Sequence, residues 1–194
     1  MSLVEDSKVK FPAFFVRAKT KTELRRFVAS HALVWLRLQR RRCAKGAIMV
    51  DIDDTLIDGH ESVANGFQFM KILYNEASLL YPIHVVTARP DDQRDIVMRM
   101  LLTKGLCIPS DRLHMLPSHL YGKDFRHVEE FKWKAYVKIG HEHDGVVARF
   151  GDKLWDVAHL HSLETYLAHV RDKDCYLFMD PLLKGTYSAK LPGL

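Results

Sequence analysis

Asp51 closes a short apolar run at 47–51, and Asp53 follows two positions later. Alternate residues of an extended segment share a face, so both carboxylates reach one site if the chain turns just after the run. Clustered carboxylates repel one another and stay ionised together only beside a cation. Mg²⁺ suits such a set. It takes hard oxygen ligands from few protein carboxylates and keeps positions for water and phosphate. Asp152 and Asp156 follow another apolar run, at 146–150, and Asp152 would complete the site. Thr87 follows a run at 83–86 and offers a hydroxyl to a phosphoryl oxygen. Arg89 is a cation for that group or for an extended substrate; its structural alternative is an ion pair with Asp54, Asp91 or Asp92. Lys132 and Lys134 can each offset phosphate charge, but they stand about 200° apart around a helix, so only one faces the site. Nucleophile, metal, acid/base group and cationic clamp are the parts phosphoryl transfer needs, because its catalysis is mainly positioning and charge stabilisation.

These residues need a scaffold that gathers them. The spacing predicts strands at 47–51, 83–86, 112–116, 146–150 and 175–179, separated by helices at 61–79, 91–104, 127–139 and 153–169. Strands alternating with helices imply an α/β fold, with a parallel sheet of about five strands and helices on both faces. Right-handed crossovers put every strand C-terminus on one edge, where ligands of such sheets bind. Gly105 and Gly140 are read as helix ends.

A further helix is expected at 21–42, with Leu24, Phe27, Val28, Trp35 and Leu38 near helical spacing and Thr20 or Thr22 as cap. It belongs to a basic segment, residues 1–46, ahead of a catalytic domain at 47–194. The segment holds 12 basic and 3 acidic residues, against 17 and 21 in the remainder, so a net charge of +5 hides two parts of opposite sign. Such a run can hold nucleic acid or another anionic surface, or simply be a solvated helix face. The chain of 194 residues is long enough for a core, and no apolar run approaches the ~20 residues that span a bilayer. Three cysteines cannot close a disulfide framework, and the N-terminus shows no secretory pattern. An intracellular setting, cytoplasmic or nuclear, is therefore expected. Cys107 and Arg112 lack the spacing of a cysteine phosphatase loop. His141, His143, His159 and His161 do not have the spacing of a zinc site.

DIDDTL at 51–56, VVTARP at 85–90, Lys132 and GDKLWD at 151–156 resemble, in order and spacing, the four motifs of the haloacid dehalogenase (HAD) superfamily. The resemblance covers roughly residues 47–180 and implies a HAD-like Rossmannoid fold. It implies Asp51 as the nucleophile that forms an aspartyl-phosphate, and Asp53 as general acid and then base. Thr87 and Lys132 join the catalytic set, and Thr87, Arg89 and Lys132 contact substrate. Asp51, the backbone carbonyl of Asp53, and Asp152 would hold Mg²⁺, with Asp156 acting through a water or by orienting Lys132. The resemblance favours Lys132 over Lys134. An acid at position 53 favours a phosphatase over the dehalogenases, which lack it, and over the P-type ATPases, which have Thr there.

The gaps from Asp51 to Thr87 and from Thr87 to Lys132 hold no cap domain, so an open site is expected. The leading expectation is a Mg²⁺-dependent phosphomonoesterase for nucleic-acid ends or nucleotides. A phosphoprotein phosphatase is an alternative, as is a nucleic-acid- or protein-binding module on a HAD scaffold. The basic helix is read as a partial lid, an anchor or a dimer contact.

Overall fold

The computed structural model describes residues 2–5, 13–17, 20–42, 44–57, 67–157, 175–180 and 186–191. The strands are β1 (Ser2–Glu5), β2 (Ala13–Arg17), β3 (Ala47–Val50), β4 (Ile83–Pro90), β5 (Leu113–Leu116), β6 (Val146–Gly151), β7 (Cys175–Asp180) and β8 (Thr186–Lys190). The helices are α1 (Lys21–Arg41), α2 (Phe67–Ser78), α3 (Arg94–Thr103), α4 (Phe125–Glu142) and the single turn α5 (Leu154–Val157). All described strands join one sheet in the order β1-β2-β7-β8-β6-β3-β4-β5. Strands β8, β6, β3, β4 and β5 run parallel. Strands β7, β2 and β1 extend the sheet antiparallel.

All four residues of β3 are buried, because both faces of this strand are covered. Ile48 and Val50 pack into a core with Leu24, Val28 and Leu36 of α1, Met70 and Leu73 of α2, and Val97 and Leu101 of α3. Ala47 and Met49 face the other way, onto Ala135 and Ile139 of α4. Helices therefore cover both faces of the parallel sheet. The chain passes from β3 to β4 on one side, while β6 pairs on the other. That reversal opens a crevice at the C-terminal ends of β3 and β6.

Several expectations are corrected. The fifth parallel strand is β8, and the run at 175–179 belongs to the antiparallel β7. Residues 1–46 hold two strands as well as a helix. Helix α1 is a core element: Leu24, Val28 and Leu36 are buried, whereas Leu38 is exposed. The helix expected at 61–79 is described from Phe67, and the one at 153–169 only over Leu154–Val157; residues 61–66 and 158–169, His159 and His161 among them, lie outside the described residues. The helix expected at 91–104 opens with a 3₁₀ turn at Asp91–Gln93 before α3. Helix α4 runs through Gly140 to Glu142. Its stop comes at Asp144 and Gly145, both with positive φ (60° and 130°), the left-handed geometry that ends helices.

On the α4 side of β4, His84 is buried between two other imidazoles. Its Nδ1 lies 2.9 Å from Nε2 of His114 on β5, and its Nε2 lies 2.8 Å from Nε2 of His143, the C-cap of α4. His84 meets its two partners through different ring nitrogens, which makes a hydrogen-bonded chain. Burial lowers its pKa to about 4, helped by His114, His143 and Arg112 and opposed by Asp111. His84 thus binds its proton less tightly folded than unfolded. Its stabilising contribution is present above about 6.5 and is lost as pH falls toward about 4. The melting temperature of His84→Gln, followed by circular dichroism, is predicted to fall less steeply than wild type across that window.

Candidate active site

Asp51 directly follows β3, and Lys132 stands two turns into α4, on the face that packs against the sheet. The Lys132 ammonium donates to Asp51 Oδ1 at 2.8 Å and to Asp156 Oδ1 in a shorter contact. Asp152 follows β6, so the crevice between β3 and β6 brings the three carboxylates together. Asp51, Asp152 and Asp156 are all buried, and one oxygen from each lies within 4.8 Å of the others. Lys134, two residues along α4, is exposed and pairs with Glu130.

Charge balance here is unfavourable to the carboxylates. Burial raises the Asp51 pKa well above its ordinary value; Lys132 opposes the rise, and Asp156 and Asp152 add to it. Burial and Asp156 raise Asp152 to about 6, although Lys153 Nζ lies 3.4 Å from its Oδ2. Burial works against the Lys132 charge too, but Asp156 and Asp51 more than offset it and raise its pKa. Asp51 and Asp152 therefore favour added positive charge beside them. A hard divalent cation fits this donor set. One oxygen from each of Asp51, Asp152 and Asp156 would be available to it, since all three lie within 4.8 Å of one another. Asp156 commits Oδ1 to Lys132 and Oδ2 to the backbone N–H of Lys153, at 3.0 Å. It is a bracket for Lys132, which leaves Asp51 and Asp152 with the greater capacity to hold an ion.

The Asp53 carboxylate lies outside this cluster. It accepts two hydrogen bonds from Arg89, 3.0 Å from Nε and 2.7 Å from Nη2. The structural alternative to a substrate contact was an ion pair of Arg89 with Asp54, Asp91 or Asp92; the pair forms with Asp53, and Asp91 accepts from the Ser118 backbone N–H at 2.9 Å. A break in the β4–β5 register between Thr87 and Pro90 explains the aim of Arg89, since it frees residues 88 and 89 from the ladder. Thr87 is fully buried at the same strand end, and its Oγ1 accepts from the Arg89 N–H at 3.2 Å.

Three supports escaped sequence reasoning. Arg25 of α1 is fully buried and donates from Nη2 to the Asp54 carbonyl at 2.9 Å. Arg149 of β6 is fully buried as well; its Nε donates to the Asp156 carbonyl at 3.0 Å, and its guanidinium lies 4.8 Å from the Tyr136 ring centroid. Arg25 is read only as part of the basic segment, and Arg149 only as a member of the strand expected at 146–150. Gly151 is required for space: a Cβ there would lie 2.1 Å from Asp156 Cβ. The glycine of GDKLWD lets Asp156 fold back over the strand end.

Because Asp152 is driven to about pH 6, its charge destabilises the metal-free fold above that pH and is relieved as the group protonates below it. At about pH 7.5 without divalent ions, Asp152→Asn is predicted to be more stable than wild type, by on the order of 2 kcal/mol. Adding about 5 mM Mg²⁺ should raise the wild-type melting temperature and leave the variant nearly unmoved.

A scan against protein-family models gives no match, and a search of curated proteins gives none. Among solved structures, the chain is similar to the Class C acid phosphatase from Bacillus anthracis. The TM-score is 0.55 at 13% identity, over 78% of this chain and 73% of that one. At that identity the likeness is one of fold. The chain has the HAD-like Rossmannoid fold that its four motifs imply, with Asp51, Lys132, Asp152 and Asp156 gathered at the C-terminal edge of its parallel strands.

Proposed function

We propose that this chain is a phosphomonoesterase that works through an aspartyl-phosphate on Asp51 and requires a divalent cation, with Mg²⁺ the expected one. The observation that carries this reading is the buried Lys132–Asp51 pair beside Asp152 and Asp156 at a strand-end crevice. Lys132→Asp51 contact at 2.8 Å aims one carboxylate oxygen and puts a fixed cation where phosphate charge would arrive. A phosphatase reading is also favoured by the fold shared with the acid phosphatase.

The steps follow from the chain's own groups. The other Asp51 oxygen attacks phosphorus, and the bond to the leaving oxygen breaks. Asp53 gives that oxygen its proton, then takes a proton from water as the water attacks the aspartyl-phosphate, releasing phosphate and restoring Asp51. The Asp53–Arg89 pair must open for this. An incoming phosphate dianion competes for the guanidinium, so arrival of substrate frees the acid. Thr87 supplies a hydroxyl beside the same strand end. A divalent cation, held by Asp51, Asp152 and the Asp53 carbonyl with Asp156 behind them, would neutralise charge on the phosphoryl group when bound.

Small phosphomonoesters are the first substrate class. Asp53 is 43% exposed, so the site is open enough for larger ones. Nucleic-acid ends, the substrate the sequence led with, become the second reading, favoured by the basic segment. Distance tells against a tight grip: α1 begins beside Asp54 through Arg25, whereas Arg40, Arg41 and Arg42 lie at its other end, about 24 Å along the axis. No described helix is long and apolar enough to cross a membrane.

Mg²⁺-dependent phosphate release from p-nitrophenyl phosphate is predicted for the native chain and a loss of at least ~10³-fold for Asp51→Asn. Equal activity in the two would remove Asp51 as nucleophile. Faster cleavage of phosphorylated oligonucleotides than of mononucleotides, steeply weakened by salt, would move the nucleic-acid reading to the front.

A further inference from the structure

The turn that carries Asp51 and Asp53 is held from both faces of the sheet. On the α4 face, Lys132 holds the Asp51 carboxylate. On the other face the hold comes from α1, outside the part of the chain that resembles any phosphatase motif. The turn folds around the Ile52 carbonyl, which accepts from the backbone N–H groups of Thr55, Leu56 and Ile57 at 3.3, 2.8 and 3.1 Å. Within it, Asp54 has φ +55°, a left-handed conformation that residues with a Cβ resist. The Asp54 carbonyl is the one reached by Arg25 Nη2, at 2.9 Å.

Arg25 is fully buried, one turn into α1 between Leu24 and Val28. Its guanidinium lies 4.0 Å from the centroid of the Phe67 ring, so a planar cation is stacked on one side and hydrogen-bonded at the edge. A charge so placed is costly to bury unless its partners are fixed. The other arginines of α1 do not share this fate, since Arg26, Arg37, Arg40 and Arg41 are all exposed. The peptide groups on either side of Asp54 share its Cα. Holding the Asp54 carbonyl therefore restricts the left-handed turn that also sets the preceding Asp53 peptide.

We infer that Arg25 is a positioning residue: through the Asp54 carbonyl it locks the Asp51–Ile57 turn, making the N-terminal helix part of the active site's framework. The inference rests on the phosphomonoesterase reading for its catalytic consequence, and on the turn alone for its structural one. Arg25 is fully buried, and the groups it is seen to meet are the Asp54 carbonyl and the Phe67 ring, neither of them a reacting group. Its loss should therefore lower kcat and spare KM.

The test compares wild type, Arg25→Gln, Arg25→Lys and Arg25→Ala. Steady-state kinetics on p-nitrophenyl phosphate with Mg²⁺ is one arm, and amide hydrogen exchange of the whole protein is the other. For Arg25→Gln, kcat is expected to fall about 30-fold with KM within about twofold, the scale of a misplaced catalytic group. Exchange at Thr55, Leu56 and Ile57 should quicken at least ~10-fold while β4 stays unchanged. Arg25→Lys keeps the charge but not the planar fork, and should fall between. Added guanidinium ion should restore part of kcat in Arg25→Ala. If a folded Arg25→Lys or Arg25→Gln keeps wild-type kcat, or exchange in the turn is unmoved, the inference is overturned. A rise in KM at constant kcat overturns it too, since it would mean substrate contact. A wild type without phosphatase activity would sink the proposed function, while the exchange arm still decides whether Arg25 holds the turn.

Discussion

Carboxylates do not gather in a dry crevice unless positive charge holds them there. Three of them, Asp51, Asp152 and Asp156, meet at the ends of β3 and β6, with the Lys132 ammonium bound to two. Breaking such a buried pair typically costs about 3–5 kcal/mol, because the partner left behind keeps its charge without compensation. Much of the local architecture answers to this cluster. Gly151 leaves room for Asp156, Lys153 caps that side chain through its backbone, and Arg149 ties the same residue by its carbonyl. The electrostatic strain that remains in Asp51 and Asp152 is the property that makes the crevice receptive to a divalent ion.

The sheet supplies the geometry for this. Parallel strands bring Asp51 and Asp152 to the same edge, and the reversal of strand order at β3 opens the space between them. Helices on opposite faces then act on the same turn, α4 through Lys132 and α1 through Arg25. The β4 irregularity completes the arrangement by releasing Arg89 to reach Asp53. Asp51, which the proposal makes nucleophile, is buried and rigidly paired. Asp53, which it makes the acid and base, is half-exposed and held by an ion pair that a phosphate can contest.

Strands β3, β4 and β6 were legible because each is an apolar run ending in polar residues, and three of the four motifs mark those ends directly; β5 was legible as a short, mainly apolar run alone. Strand β8 was not. It buries Ser188 and Lys190 beside Tyr187 and Ala189, so its composition lacks the apolar signature of an inner strand. Strands β1 and β2 fall in a segment whose charge dominates its reading, and they join the sheet through pairing with β7, far away in sequence. The same charge masked Arg25. A basic run reads as a solvated face, and nothing in the spacing says which of its arginines turns inward. Gly140 misled the other way: a glycine inside a helix is tolerated, and the left-handed pair Asp144–Gly145 sets the real end.

Detection of the acyl-phosphate itself tests the central claim most directly. The native chain, turning over p-nitrophenyl phosphate with Mg²⁺, would be quenched in acid, digested and mapped by mass spectrometry. The account predicts a phosphoryl group on the peptide containing Asp51, on that carboxylate and absent from Asp51→Asn. Turnover with no phosphoryl on Asp51, or with the group on a histidine instead, would contradict it.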